Sequence, residues 1–214
     1  MSRLAIKICG LSTPETLRAA LDHGASHVGL MHFPKSPRHL DIAALAGLAS
    51  QVPPHVGRVA VVVDPDDTLI EALAATGTLS TLQLHGQETP ERAATIARRT
   101  GLDVWKVVSV KRAQDIAAAD AYAGAVQRIL FDAKTPDNAA LPGGLGMRFD
   151  WSLLAGYRGA IPWGLAGGLD PANVAAAIAQ TGAPLVDVSS GVESAPGLKD
   201  VDKIAAFCKA VAAL

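Results

Sequence analysis

The sequence predicts an α/β protein that folds as a single (β/α)8 TIM barrel over residues 1–214. Three observations favour this fold: eight short runs rich in β-branched residues, Ala- and Leu-rich stretches between them, and a regular spacing. The runs begin 22 to 34 residues apart, which is enough for the strand, helix and two turns of a parallel βαβ unit. The predicted strands are Leu4–Ile8, His27–Leu30, Arg58–Val63, Thr81–Leu84, Asp103–Val108, Arg128–Phe131, Pro162–Leu165 and Leu185–Val188.

Signals for helix ends lie between these predicted strands. Three helices are expected to begin where a capping side chain precedes an early proline, at Ser12-Thr13-Pro14, Thr89-Pro90 and Asp170-Pro171. A glycine follows four of the helical stretches, where a left-handed C-cap residue is expected. These glycines are Gly24, Gly77, Gly101 and Gly182.

An open, doubly wound sheet is the alternative fold, and composition does not exclude it. Such sheets usually have about five or six strands, and a G-x-G-x-x-G loop follows the first strand when they bind a dinucleotide. Here the first strand leads into Cys9-Gly10-Leu11-Ser12, which lacks that pattern. The barrel is therefore the favoured fold.

Composition narrows the possible partners. Half of the residues are hydrophobic and 18% are charged, which excludes an intrinsically disordered chain. The 19 basic and 20 acidic side chains leave a net charge of −1, so a nucleic-acid partner is not expected. The longest uncharged stretch, Pro171–Val186, is too short and too polar to cross a membrane. We therefore expect a cytoplasmic protein, monomer or homodimer, whose two cysteines are reduced.

Two loops predict a site for a phosphate ester. The loops after strands seven and eight of a barrel usually bind phosphate, and these segments here are rich in glycine and serine. They contain no Lys or Arg, so binding would depend on oriented backbone amides. Simple turns are the alternative interpretation of either segment alone. The candidate binding residues are Gly167, Gly168, Ser189, Ser190 and Gly191.

Cys9 and Asp132 are the candidates for acid–base chemistry, because each follows a predicted strand at the barrel mouth. A thiol needs only a modest lowering of its pKa to act as a base near neutral pH. Partial burial of the Asp132 carboxyl would raise its pKa and suit an acid. The alternatives are inert packing for Cys9, as expected for Cys208 in the last helix, and a turn or N-cap role for Asp132.

Strand alternation predicts an ion pair beneath this site. Lys7 and Cys9 share one face of strand one, and Asp187 and Ser189 share one face of strand eight. These strands become neighbours when a barrel closes. A buried ammonium without a partner would be strongly disfavoured, so we expect Lys7 to pair with Asp187 and to influence the pKa of Cys9.

Two further side chains are candidates for substrate binding. Arg38 follows Pro37 in a long loop, and its guanidinium suits bidentate capture of a carboxylate, although a solvated loop arginine is equally open. His85 shares its strand face with Gln83 and Thr81, so its side chain is expected to face the barrel mouth. A structural histidine is the alternative interpretation. The histidines and cysteines show no metal-ligand spacing, so no catalytic metal is expected.

Seven motifs occur in order at barrel spacing and together cover nearly the whole chain. They are KICGL (7–11), SPR (36–38), LQLHG (82–86), LPGG (141–144), FDW (149–151), LAGGL (165–169) and DVSSGVE (187–193). This set closely resembles the phosphoribosylanthranilate isomerase family of tryptophan biosynthesis. The resemblance implies an Amadori rearrangement of N-(5-phosphoribosyl)anthranilate to 1-(2-carboxyphenylamino)-1-deoxyribulose 5-phosphate without a cofactor.

The resemblance also implies roles for individual residues. Asp132 stands at the family's general-acid position, Cys9 at its general-base position, and Arg38 where the anthranilate carboxylate is held. Gly167, Gly168, Ser190 and Gly191 would line the phosphate site. One departure is Leu145, which replaces the family's usual threonine after Gly143-Gly144. The remaining alternatives are another phosphosugar aldose–ketose isomerase or epimerase, and a non-catalytic phosphate-binding barrel.

Overall fold

Eight parallel strands form a closed barrel in chain order in the computed structural model, which describes residues 4–133, 143 and 146–214. Closure comes from β1 and β8, which pair in parallel from Ala5 opposite Leu185 to Ile8 opposite Val188. The predicted barrel is confirmed, and the open sheet is excluded because β1 is paired on both edges. The strands are β1 Ala5–Cys9, β2 His27–Met31, β3 Gly57–Val62, β4 Thr81–Leu84, β5 Asp103–Val110, β6 Arg128–Ala133, β7 Trp163–Leu165 and β8 Leu185–Val188.

Helices connect the strands and pack outside the barrel. Thr13 and Thr89 cap their helices as predicted, each accepting a hydrogen bond from a backbone N–H of the first turn. Short 3₁₀ turns occupy Ala118–Tyr122, Trp151–Leu154 and Ser190–Val192. The α-helices are α1 Pro14–Asp22, α2 Ile42–Ala49, α3 Asp67–Ala75, α4 Pro90–Thr100, α5 Ala113–Ala117, α6 Val174–Thr181 and α7 Val201–Ala212.

Two features differ from the predicted elements. Helix α6 begins at Val174 and not at Pro171, because the Asp170 carboxylate accepts hydrogen bonds from the N–H groups of Ala172 and Asn173 and holds a separate turn. A small antiparallel hairpin, β9 Glu193–Ala195 and β10 Leu198–Lys199, follows β8. Its strands are too short to produce a recognisable period of alternation.

Alternation along each strand separates two cores. Outward-facing residues of the strands pack beneath the helices, as Ile8, Leu82 and Phe131 do. Inward-facing residues fill the barrel, and several of those near the carboxyl ends of the strands are polar. Lys7, Gln83, Asp132 and Asp187 are all at least nine-tenths buried there. A polar interior at this end is unusual for a packed core and marks the region in which barrel enzymes carry their chemistry.

None of the helices in the described part of the chain combines the length and apolar content that a membrane span requires.

Candidate active site

A cleft opens at the carboxyl ends of the barrel strands. Most of the side chains and glycines predicted from the sequence line it. Gly191 lines an adjoining cleft, and Lys7 lies beneath the floor with no exposed surface. The predicted residues in the wall of the main cleft are Cys9, Arg38, His85, Asp132, Gly167, Gly168, Asp187, Ser189 and Ser190.

The expected ion pair forms the floor of the cleft. Lys7 lies opposite Asp187 in the register of β1 and β8, and its Nζ donates to both carboxylate oxygens of Asp187 at 3.0 Å. Burial acts to lower the pKa of Lys7, but the negative charge of Asp187 and the hydrogen bond with Cys9 outweigh it and the pKa is raised. Lys7 therefore remains an ammonium in the barrel interior.

Cys9 is the last residue of β1 and lies directly above Lys7 on the same face of the strand. Gly29, its partner on β2, leaves the space that both side chains use. A Cβ on Gly29 would lie 2.8 Å from Cys9 Sγ and 3.0 Å from Lys7 Nζ. The backbone of β2 thus determines where the sulfur and the ammonium can be.

The pKa of Cys9 is raised at this site, so the lowering that a base near neutral pH would need is absent in the resting protein. Burial raises the pKa of the thiol, and the positive charge of Lys7 opposes this shift without cancelling it. The physical reason is that transfer of a thiolate from water into the barrel interior costs more than one neighbouring ammonium returns, since Asp187 already shares that ammonium's charge. Cys9 is consequently a thiol in the resting protein at neutral pH.

Asp132 and His85 stand together on the opposite wall. Asp132 lies within β6, one residue before its end, and accepts a hydrogen bond of 2.7 Å from the Ala133 N–H. His85 follows β4, and its Nε2 is 3.4 Å from Asp132 Oδ2. Of the two interpretations of His85, the structure agrees with the one that places the ring in the mouth. A Cβ on Gly143 would lie 2.8 Å from His85 Nε2, so this glycine allows the backbone to approach the pair.

Arg38 is buried in the cleft wall with 4% of its surface exposed, so the interpretation as a solvated loop arginine is wrong. Its Nε and Nη2 donate to the two carboxylate oxygens of Glu193 at 2.7 and 2.8 Å. Lys199 also donates to Glu193, at 2.6 Å. These three side chains contain two positive charges and one negative charge, which leaves a net charge of +1 beside the cleft.

The glycine- and serine-rich loops meet at the same end of the cleft. Gly167 and Gly168 have φ angles of 84° and 63°, a left-handed conformation that side-chain-bearing residues rarely adopt. A Cβ on Gly167 would lie 2.6 Å from the Ala133 nitrogen. Although neither loop contains a cation, Lys199 approaches from the hairpin and donates to the backbone oxygen and the hydroxyl of Ser189.

The comparisons with known proteins agree with this geometry. A model of the family described as N-(5'phosphoribosyl)anthranilate (PRA) isomerase matches residues 6–210. The chain belongs to this family.

Individual relatives support the same assignment. The N-(5'-phosphoribosyl)anthranilate isomerase of Zymomonas mobilis subsp. pomaceae is 53% identical over 96% of both chains. The crystal structure of phosphoribosyl anthranilate isomerase from Thermotoga maritima is 37% identical, covers 99% of this chain and 100% of its own, and superposes with a TM-score of 0.88. A further structure of such an isomerase, in complex with reduced 1-(o-carboxyphenylamino)-1-deoxyribulose 5-phosphate, is 35% identical with a TM-score of 0.85, at 99% and 100% coverage.

Sequence reasoning missed three charged residues that support the site of this isomerase family member. Glu193 accepts hydrogen bonds from Arg38, and Lys199 donates hydrogen bonds to Ser189. Glu88 accepts hydrogen bonds from the Gly86 N–H and from buried Lys106, and so fixes the turn that presents His85. Glu193 lies inside one of the seven motifs, which was the available signal for it. Leu145 and the residues around it, 134–142 and 144–145, lie outside the described residues.

Proposed function

We propose that the chain isomerises N-(5'-phosphoribosyl)anthranilate to 1-(2-carboxyphenylamino)-1-deoxyribulose 5-phosphate, with Cys9 as the base and Asp132 as the acid. The observation that carries this proposal is that a thiol from β1 and a carboxyl from β6 line one cleft, together with the phosphate-type loops and Arg38. Family membership supports the reaction, and the position of each side chain supports its role.

The proposed reaction begins with opening of the sugar ring. Asp132 gives its proton to the ring oxygen, and the C1–O bond breaks while the lone pair of the anthranilate nitrogen forms a C=N bond to C1. The Cys9 thiolate then removes the proton from C2. The electrons of that C–H bond form a C1=C2 bond, and the electrons of the C=N bond return to nitrogen.

The resulting enolamine tautomerises to the ketone, as the C2 hydroxyl loses its proton and C1 gains one. No atom is gained or lost over the sequence, and the protonated imine accepts the electron pair. The proposed chemistry therefore needs no cofactor.

The raised pKa of Cys9 defines how protons are distributed in this proposal. In the resting protein the thiol carries the proton, because burial raises its pKa. The reactive form carries that proton on Asp132 instead and leaves Cys9 as a thiolate. Both forms contain the same number of protons, so the reactive fraction is independent of pH until Cys9 loses its proton to solvent. Lys7 increases the reactive fraction, since its charge favours the thiolate.

Substrate binding in this proposal occurs at both ends of the molecule. Backbone N–H groups and hydroxyls of the two loops hold the phosphate, and Arg38 holds the anthranilate carboxylate with the net positive charge of its cluster. His85 contacts the opened sugar beside Asp132. Fixing both ends of the substrate places C1 and C2 between the acid and the base. This orientation contributes to the rate enhancement, because the reacting groups no longer have to find each other. The phosphate-binding residues are Gly167, Gly168, Ser189, Ser190 and Gly191.

The cellular setting is part of the same proposal. We expect a cytoplasmic enzyme that acts as a monomer or homodimer on a small phosphorylated substrate, without nucleic-acid or membrane partners. Cys9 and Cys208 are both free thiols, which suits a reducing compartment. A relative from Thermotoga maritima is described as a dimeric isomerase from which monomers were generated.

A single-turnover assay tests the proposed roles. The fluorescence of the anthranilate-type substrate is followed after mixing with excess wild type, Cys9→Ala or Asp132→Asn. We expect each substitution to reduce the rate at least about 10²-fold, the contribution typical of a general acid or base. Near-normal rates in both variants would remove the support for this acid–base pair, and a wild type without turnover would overturn the proposed function.

A further inference from the structure

The hairpin after β8 brings a buried charge cluster to the edge of the cleft. Glu193 lies at the start of β9 and Lys199 at the end of β10, and they meet Arg38, which is 155 residues earlier in the chain. Nearly all of the Glu193 side chain is buried, and the Lys199 side chain has no exposed surface. Removing such charges from water costs free energy that their mutual attraction largely offsets but seldom exceeds. The cluster therefore adds little net stability, and its position beside the cleft calls for a functional explanation.

Glu193 holds the Arg38 guanidinium in a single orientation. Two parallel N–H···O bonds join the groups in the bidentate geometry that a planar guanidinium and a carboxylate favour. Glu193 is itself held, because Oε2 accepts from the Gly197 N–H at 3.2 Å and its backbone oxygen accepts from Lys203 Nζ at 2.7 Å. Burial acts to raise the pKa of Glu193, yet Arg38 and Lys199 outweigh it and hold the pKa below its ordinary value.

Lys199 connects the same cluster to the phosphate end of the cleft. Its Nζ donates to Glu193 Oε1 at 2.6 Å, to the Ser189 backbone oxygen at 2.9 Å and to the Ser189 hydroxyl at 3.2 Å. One ammonium therefore joins the side chain that orients Arg38 to the loop that carries Ser189. The hairpin places it there, since Lys199 pairs with Glu193 in the register of β9 and β10.

We infer that Glu193 and Lys199 are positioning residues: Glu193 presents Arg38 to the substrate carboxylate, and Lys199 holds the Ser189 loop for the phosphate. This inference rests on the proposed function, because it assumes a substrate with an anionic group at each end. Neither residue contacts the reacting carbons. Their effect is on binding, so loss of either is expected to raise KM more than it lowers kcat.

The test for Glu193 compares two substrates. One carries anthranilate, and the other carries aniline in its place and so lacks the carboxylate. Wild type is expected to prefer the first by its kcat/KM. In Glu193→Gln the amide NH₂ faces the guanidinium, the bidentate bond is lost, and we expect the preference to fall at least about tenfold, with most of the change in KM. A purely structural role would lower kcat/KM for both substrates equally and leave the preference unchanged.

A cycle with Arg38 shows whether Glu193 acts through the guanidinium. In an Arg38→Met background, Glu193→Gln is expected to have no further effect on the preference, because the group that Glu193 orients is absent. Additive losses would overturn the inference. If Glu193→Gln does not fold, Glu193→Asp is used, which keeps the charge but shortens its reach, and the same fall in preference is expected.

The test for Lys199 uses inorganic phosphate as a competitive inhibitor. We expect Lys199→Met to raise its inhibition constant at least about fivefold, while Glu193→Gln changes it less than about twofold. Equal effects of the two variants would overturn the division of roles. Glu71→Gln is the matched control, since it makes the same change in an exposed pair with Arg99, and it is expected to alter neither readout. A wild type that turns over anthranilate substrate while both variants behave normally would refute this inference alone.

Discussion

Removing the ammonium beneath the cleft gives the most direct test of how this site is built. In Lys7→Met a fully buried cation is replaced by an apolar side chain of similar length, and Asp187, which is 8% exposed, loses hydrogen bonds to both of its carboxylate oxygens. Breaking a buried pair by removal of one partner typically costs about 3–5 kcal/mol of unfolding free energy. We expect a loss in this range at pH 8, measured by urea unfolding with an unchanged m-value.

The pH dependence of this loss identifies its cause. Burial raises the pKa of Asp187, and in the variant Lys7 no longer opposes that shift. A carboxyl whose folded-state pKa is raised takes up a proton more readily when folded, so its stabilisation is present at low pH and is lost as pH rises through the folded-state pKa. The difference in stability between variant and wild type is therefore expected to be larger at pH 8 than at pH 5.

The control and the catalytic readout separate charge from packing. Lys7→Met/Asp187→Asn removes both charges of this buried pair and is expected to recover about half of the lost stability or more. Activity is expected to fall in both variants, since without Lys7 the Cys9 thiolate is less favoured and the reactive fraction decreases. Unchanged stability and unchanged kcat/KM in Lys7→Met would refute the reasoning.

Two further predictions concern Cys9. The kcat/KM of the wild type is expected to stay level with pH through the neutral range and to decline only above the ordinary cysteine pKa of about 8.5. The reason is that burial raises the Cys9 pKa, and the reactive form needs the proton that Cys9 passes to Asp132. A pH–rate profile that rises steeply from pH 7 to 9 would contradict this. Gly29→Ala is expected to lower kcat/KM at least about tenfold, since its Cβ would lie 2.8 Å from Cys9 Sγ, with about 1–3 kcal/mol lost from overpacking. Gly47→Ala is the matched control, because a Cβ there meets nothing within 4 Å in α2, and it is expected to leave activity unchanged and stability the same or slightly higher. Equal effects of the two glycine variants on activity, measured by steady-state kinetics, would show that Gly29 has no special position.

The sequence by itself determined the barrel and the position of the proposed acid and base. The number and regular spacing of the eight strands predicted the closed barrel. Alternation along each strand depends on neighbouring residues only, and it predicted which side chains face inward. Once β1 adjoins β8, the contact between Lys7 and Asp187 follows from parity along the two strands. Cys9 and Asp132 were recognisable for the same reason, since each stands where its strand reaches the mouth.

Only the tertiary structure decided the partners and the electrostatics of the site. The contacts of Arg38 with Glu193, and of Lys199 with Ser189, depend on how a loop and a short hairpin meet, and no local period in the sequence records such a meeting. The direction of the Cys9 pKa shift likewise depends on a balance between burial and the charges of Lys7 and Asp187. Burial is a property of the whole barrel, because the residues that exclude water from the sulfur come from strands far apart in the chain.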